Sequence, residues 1–128
     1  MKLLLDTHIW IWSLSEPEKL SRQVSEDLDD PKNERWLSPV SVWEMLLLQG
    51  KGRIEVQGNI RDWIANATLD LREAPLTHEI VLATQELQLH QDPADRFLAA
   101  TAYVLGLTLV TADQRLLGLG KVATLANR

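Results

Sequence analysis

The amino-acid sequence predicts an α/β fold of three layers, a parallel sheet flanked by helices, on three observations. Leu3-Leu4-Leu5 and Leu109-Val110-Thr111 are short apolar runs without polar alternation, the pattern of strands buried on both faces. Longer segments with apolar residues at helical spacing separate such runs. An aspartate follows each run within two residues, Asp6 and Asp113, at what becomes the carboxyl end of a strand. That edge is where open parallel sheets gather their ligands.

The first strand covers residues 2–5, and residues 9–14, with Trp10, Ile11 and Trp12, form a short buried helix closed by Glu16-Pro17-Glu18. Ser21 caps a helix running to about Asp29, in which Val24 and Leu28 share a face, and Asp30-Pro31 ends it. Residues 35–37 form a second strand. Ser38 followed by Pro39 pairs an oxygen-bearing cap with a proline at the first helical position, so a helix starts there and runs to Gln49, before Gly50-Lys51-Gly52.

Residues 53–58 read as a polar excursion. Ile60, Trp63, Ile64 and Ala67 then give helical spacing to a segment ending at about Leu71. After Pro75, residues 77–89 form a helix with Ile80, Val81, Ala83 and Leu87 inward, and His90-Gln91 breaks it. Asp92 and Pro93 start the helix over 94–105, whose alanines permit close packing, and Gly106 ends it. A strand over 108–111, a short helix and a last strand within 122–125 complete a chain with no repeat or linker. It reads as a single domain over residues 1–128.

A composition of 45% hydrophobic and 24% charged residues suits a globular protein rather than a disordered one. The absence of cysteine excludes a disulfide framework, a thiolate metal site and a cysteine nucleophile, and it suits a reducing cytoplasm. Asp6 interrupts the leucine run far short of a signal-peptide core, and no stretch is long enough to span a bilayer, so no membrane association is expected. A net charge of −5 excludes nucleic-acid binding by bulk electrostatics alone. Bound divalent cations would invert the local field at an acidic site.

Four acids stand out. Asp6 serves equally well as a helix cap or a ligand. Glu44 is the only charged residue between Leu37 and Leu48, in a helix apolar nearly all round that should be buried, where an ionised carboxylate needs a cation or several donors. A capping box from Ser41 to Glu44 is set aside, because Ser38-Pro39 starts the helix a turn earlier. Asp92 reads as a cap, while Asp95 either favours the positive end of the helix dipole or projects from the first turn toward Glu44 as a ligand, with Arg96 pairing with a neighbouring acid or a phosphate. Asp113 either caps the last helix or parallels Asp6.

Together Asp6, Glu44, Asp95 and Asp113 form an all-oxygen donor set that suits Mg²⁺ or Mn²⁺. Like charges brought close raise one another's pKa, so their convergence makes sense chiefly with cations bound. Such cations turn water into a nucleophile and stabilise charge on a phosphodiester undergoing displacement. His8, His78 and His90 lack the spacing of a helical zinc pair. Trp10, Trp12, Trp36, Trp43 and Trp63 read mostly as core, although an exposed one could stack a base.

Four blocks in order, Leu3-Leu4-Leu5-Asp6-Thr7-His8, Leu37-Ser38-Pro39-Val40-Ser41-Val42-Trp43-Glu44, His90-Gln91-Asp92-Pro93-Ala94-Asp95-Arg96 and Leu107-Thr108-Leu109-Val110-Thr111-Ala112-Asp113, strongly resemble the PIN-domain ribonucleases. They look most like the VapC-type toxins of toxin-antitoxin pairs. The resemblance implies a parallel sheet of four to five strands, with Asp6, Glu44, Asp95 and Asp113 around one or two Mg²⁺ or Mn²⁺ ions. Thr111, Thr7, Asp92 and Arg96 are then supporting groups. It further implies endonucleolytic cleavage of RNA leaving a 5′-phosphate and a 3′-hydroxyl, a homodimer, and silencing by a small antitoxin whose C-terminal segment fills the acidic groove. Ala94, and Leu116 or Leu117, stand where the family commonly carries bulkier apolar or aromatic residues.

Lys51, Arg53 and Arg61 follow the Glu44 helix and are candidate contacts for RNA phosphates, against the plainer reading of a solvated loop. Two other functions fit the residues. One is a catalytically inactive PIN-like module that binds RNA or a protein partner. The other is a phosphotransfer domain with Asp6 as nucleophile, which lacks an obvious lysine after the last strands, since Lys121 lies beyond Gly118 and Gly120.

Overall fold

In the computed structural model, which describes residues 1–87 and 92–128, five parallel strands form one sheet in the order β3-β2-β1-β4-β5. They are β1 (Lys2–Leu5), β2 (Glu34–Leu37), β3 (Arg72–Glu73), β4 (Thr108–Thr111) and β5 (Thr124–Ala126). The helices are α1 (Thr7–Ser15), α2 (Arg22–Asp29), α3 (Pro39–Gly50), α4 (Ile60–Ala67), α5 (His78–Ala83), α6 (Pro93–Leu105) and α7 (Gln114–Leu117). A single 3-10 turn at Pro17–Lys19 sits between α1 and α2.

The central strand explains the layering. Leu3, Leu4 and Leu5 alternate across the sheet and all are buried, so both faces must be covered. Leu3, Leu5 and Val110 pack with Ile9 and Trp10 of α1, Val24 and Leu28 of α2, and Met45 of α3. On the other face Leu4 and Leu109 pack with Ile80 of α5, Leu98 and Ala99 of α6, and Leu116 of α7. This is the three-layer architecture expected from the sequence.

Side-chain oxygens cap the amino end of every α-helix among the described residues, the caps being Asp6, Ser21, Ser38, Asn59, Thr77, Asp92 and Asp113. Each satisfies an otherwise orphaned backbone N–H. Gly106 closes α6 in the left-handed region at φ 66°, donating its N–H to the Ala102 carbonyl.

Several local expectations are corrected. The helix expected to reach Leu71 ends at Ala67, and β3 follows it as an edge strand of two exposed residues, held by backbone bonds to β2 with no apolar pattern to announce it. The segment expected as one helix over 77–89 is helical only through Ala83, and Val81 is exposed, although Leu87 is buried as foreseen. Residues 88–89 and the His90-Gln91 break lie outside the described residues.

Neither is α3 buried all round, since Trp43 is 53% exposed and Leu46 and Leu47 are also open. Of the five tryptophans only Trp10 is fully buried. Its Nε1 donates to the Ala67 carbonyl at 3.2 Å, and its ring meets Trp63 edge-on at 6.2 Å, tying α1 to α4. Trp10→Ala is therefore expected to cost about 3–5 kcal/mol through the cavity it leaves, measured by urea denaturation; a loss below about 1 kcal/mol would show that this corner does not support the fold.

Candidate active site

The pairing of Leu5 with Val110 places the residues that follow them, Asp6 and Thr111, side by side at the carboxyl ends of β1 and β4. From β1 the chain passes outward to β2 on one side, and from β4 it passes outward to β5 on the other, so the crevice of a topological switch point opens between them. Asp6 N donates to the Val110 carbonyl at 3.0 Å. Its Oδ1 accepts from Thr7 N and its Oδ2 from Thr111 Oγ1, each at 2.7 Å. Thr111 Oγ1 also accepts from Asp113 N at 3.1 Å, so one hydroxyl links the two acids that follow strands.

Glu44 arrives from the second turn of α3, whose start is set by Ser38 and Pro39 as expected. The buried Thr7 hydroxyl donates to Glu44 Oε1 and lies 2.9 Å from Ser41 Oγ. Thr7 thus joins the carboxylate of α3 to the residue beside Asp6. From the opposite side Asp92 Oδ1 accepts from Asp95 N at 3.3 Å and fixes the first turn of α6, where Asp95 is buried.

These acids feel one another. Burial pushes the Asp6 carboxyl above its ordinary range, the Thr111 hydrogen bond opposes this, and the charge of Asp95 adds to it. Burial also raises Glu44, against the Thr7 hydrogen bond, and the charges of Asp6, Asp92 and Asp95 raise it further. Asp113 caps α7 and lies against Arg115, with Nη2 to Oδ2 at 3.1 Å and Nε to Oδ1 at 3.3 Å. The same Nη2 is 3.8 Å from Asp95 Oδ2. Asp6, Glu44 and Asp95 therefore share one field, and Asp113 joins them through Thr111 and Arg115.

Among the described residues, no three His, Cys, Asp or Glu side chains are placed closely enough to hold a metal ion directly. The donor chemistry fits a hard divalent cation all the same. The converging ligands are carboxylates, two are penalised as anions by burial and by their neighbours, and a cation would relieve that penalty. Thr7 and Thr111 hold one oxygen each of Glu44 and Asp6 through neutral hydroxyls, which leaves lone pairs for an ion.

The remaining candidates lie further out. Arg96 is half-buried and makes no ion pair among the described residues; its backbone N–H donates to the Asp92 carbonyl. Lys51, Arg53 and Arg61 are all exposed. Arg53 lines a groove with His8 and Trp12, whereas Lys51 caps the carboxyl end of α3 and Arg61 lies in the first turn of α4. Sequence reasoning missed Arg115, and it weighed Ser41 only as a cap. A signal for Arg115 existed: a cation at the positive end of a helix is unfavourable without an anionic partner.

A doubly wound parallel sheet with an acidic crevice at its switch point defines a three-layer α/β protein. The sequence model of the PIN domain matches residues 3–122, and the chain belongs to that family. It is 30% identical over 116 residues to Ribonuclease VapC22 of Mycobacterium tuberculosis, covering 89% of this chain and 88% of that one. The fold is similar to that of VapBC2 from Rickettsia felis, solved bound to a DNA fragment from their promoter, with a TM-score of 0.76, 15% identity and 98% of each chain covered. A toxin-antitoxin complex from Klebsiella pneumoniae matches with a TM-score of 0.67, 19% identity and 98% of each chain covered. The resemblance read from the four sequence blocks is borne out at the level of family and fold.

Raised native pKa values mean that Asp6 and Glu44 hold their protons more tightly in the folded than in the unfolded chain. Their contribution favours folding at acid pH and is lost as pH rises from the unfolded carboxylate value through the raised native one. Asp6→Asn and Glu44→Gln, in the presence of a chelator, should each raise the thermal midpoint at neutral pH by about 2–5 °C, with the gain closing as the solution is acidified. A midpoint lowered equally at every pH would contradict the charge conflict.

Proposed function

We propose that this chain is a Mg²⁺- or Mn²⁺-dependent endoribonuclease and the toxin component of a toxin-antitoxin pair. The observation that carries the reading is the meeting of Asp6 and Glu44 on the Thr7 element, within the field of Asp95, at the switch point of the sheet. The ribonuclease relative and the toxin-antitoxin neighbour support the substrate class and the biological setting.

Asp6, Glu44, Asp95 and Asp113 are the groups that would hold the ion or ions. Once bound, such an ion supplies activated water and offsets the charge that develops on the phosphodiester, leaving a 5′-phosphate and a 3′-hydroxyl. The chain's own groups prepare the site. Thr111 and Thr7 N–H aim the two oxygens of Asp6, the Thr7 hydroxyl aims Glu44, and Asp92 holds the turn that presents Asp95. Arg96, exposed Arg53 and, further out, Lys51 and Arg61 are the cations available to RNA phosphates.

A single domain over residues 1–128 belongs to the same proposal and is supported by one sheet serving both cores. Exposed Trp43, Leu46 and Leu47 on α3 support a protein partner, either a second copy in a homodimer or a small antitoxin. No helix among the described residues is long and apolar enough to cross a membrane; work in the cytoplasm belongs to the toxin-antitoxin proposal. The alternative, a catalytically inactive module that binds RNA or protein, is favoured by the lack of three closely placed acids among the described residues.

Asp6→Asn and Glu44→Gln should keep the far-ultraviolet circular dichroism of the parent and lower Mn²⁺-dependent RNA cleavage by about 100-fold or more; undiminished cleavage in both would remove these acids from the catalytic site, and no cleavage by the parent with no calorimetric binding of Mn²⁺ would favour the inactive module. Arg53→Gln should weaken RNA binding and reduce the slope of log affinity against log salt by about 1. An unchanged slope would return Arg53 to a solvated loop.

A further inference from the structure

We infer that Arg115 is a built-in counter-cation of the acidic crevice, competing with the divalent ion for Asp113 and Asp95 and so setting the ion concentration at which the site loads. The inference rests on the metal-dependent reading above and concerns a residue to which that reading gives no role.

The geometry is that of a fork closed on one carboxylate. Asp113 Oδ1 accepts from the Arg115 backbone N at 2.8 Å and from Nε at 3.3 Å, while Oδ2 accepts from Nη2 at 3.1 Å. Both oxygens of Asp113 are thus engaged by one residue. Nη2 also lies 3.8 Å from Asp95 Oδ2, so one nitrogen stands between acids from α6 and from the turn after β4. A guanidinium and a metal ion need the same carboxylate lone pairs, and the site cannot give all of them to both.

The setting shows why this cation can be replaced. The side chains of Asp95 and Asp113 are 13% and 25% exposed, whereas that of Arg115 is 61% exposed. Sheltered acids meet a cation that reaches in from the solvent side. Exposed pairs of this kind are weak and screened by salt, so Arg115 offsets the repulsion of the empty crevice without locking it. Thr7 and Thr111 differ in kind: their neutral hydroxyls orient Glu44 and Asp6 without competing as cations.

The test uses the full chain, stripped of metal by a chelator, and Mn²⁺ alone as probe, with affinity read by calorimetry. Arg115→Gln should bind Mn²⁺ about two- to fivefold more tightly than the parent, and Arg115→Lys should fall between them, because lysine keeps the charge and loses the fork. Lys32→Gln removes the same unit of charge at an exposed position where no ion pair exists among the described residues and should leave the affinity near that of the parent. Equal tightening by Lys32→Gln and Arg115→Gln would assign the effect to net charge and overturn the proposal. In a parallel Mg²⁺ titration, the nitrogen-15 resonance of the Arg115 Nε–H, assigned by its loss in Arg115→Gln, should shift and broaden as the site fills. A resonance unmoved at saturating Mg²⁺, or Mn²⁺ binding in the parent that Arg115→Gln leaves unchanged, would overturn the counter-cation alone; no binding in either protein would overturn it together with the metal-dependent reading.

Discussion

The parallel pairing of β1 with β4 is the constraint on which the acidic crevice depends. It sets Asp6 opposite Thr111, and it does so through backbone bonds that continue past the strand end, where Asp6 N meets the Val110 carbonyl. A slip of one residue would turn Leu3 and Leu5 to the face now filled by Leu4, so the hydrophobic layers on both sides enforce the register. The position of the site is in this sense a consequence of core packing. Residues with no chemistry of their own, such as Val110 and Leu109, decide where a carboxylate stands.

That position carries an energetic conflict. Asp6 and Glu44 stand in the field of Asp95 where burial and the neighbouring charges oppose their ionisation, and the two threonine hydroxyls compensate only in part. A protein selected for stability alone would not gather acids in this way, since buried charge without a partner is costly. Under the metal-dependent reading proposed above, a bound cation would complete the arrangement and would reconcile an acidic protein with the approach of phosphate. The same carboxylates also serve the fold: Asp6, Asp92 and Asp113 each satisfy the amino end of a helix. Cap and ligand, which compete as readings of a sequence, are compatible roles, because helices that begin just after parallel strands bring their amino ends to the edge where the site lies.

Much of this was legible in the chain itself. Leu3-Leu4-Leu5 has the pattern of a buried strand, Ser38-Pro39 marks the start of α3 and so leaves Glu44 in its second turn, and Asp92-Pro93 with Gly106 brackets α6. Less legible were the features in which a side chain's partner lies elsewhere. Trp43, Leu46 and Leu47 look like core in a helix of uniform hydrophobicity, yet which of its faces the sheet covers is a property of docking, and these three are left outside. Arg72 and Glu73 carry no strand pattern and become β3 only because the edge of β2 offers backbone groups to pair with.

The sequence by itself determined the order of the helices and of every strand but β3, several of the helix caps, the family and the candidate acids, because runs, periodicities and capping residues act over a few neighbouring positions. Only the tertiary structure decided that Thr7 joins Glu44 to the neighbourhood of Asp6, that Thr111 bridges Asp6 and Asp113, and that Arg115 reaches Asp95. Each of those contacts spans residues brought together by the winding of the sheet. Coulomb and hydrogen-bond energies depend on distance in space, which spacing along a chain does not encode.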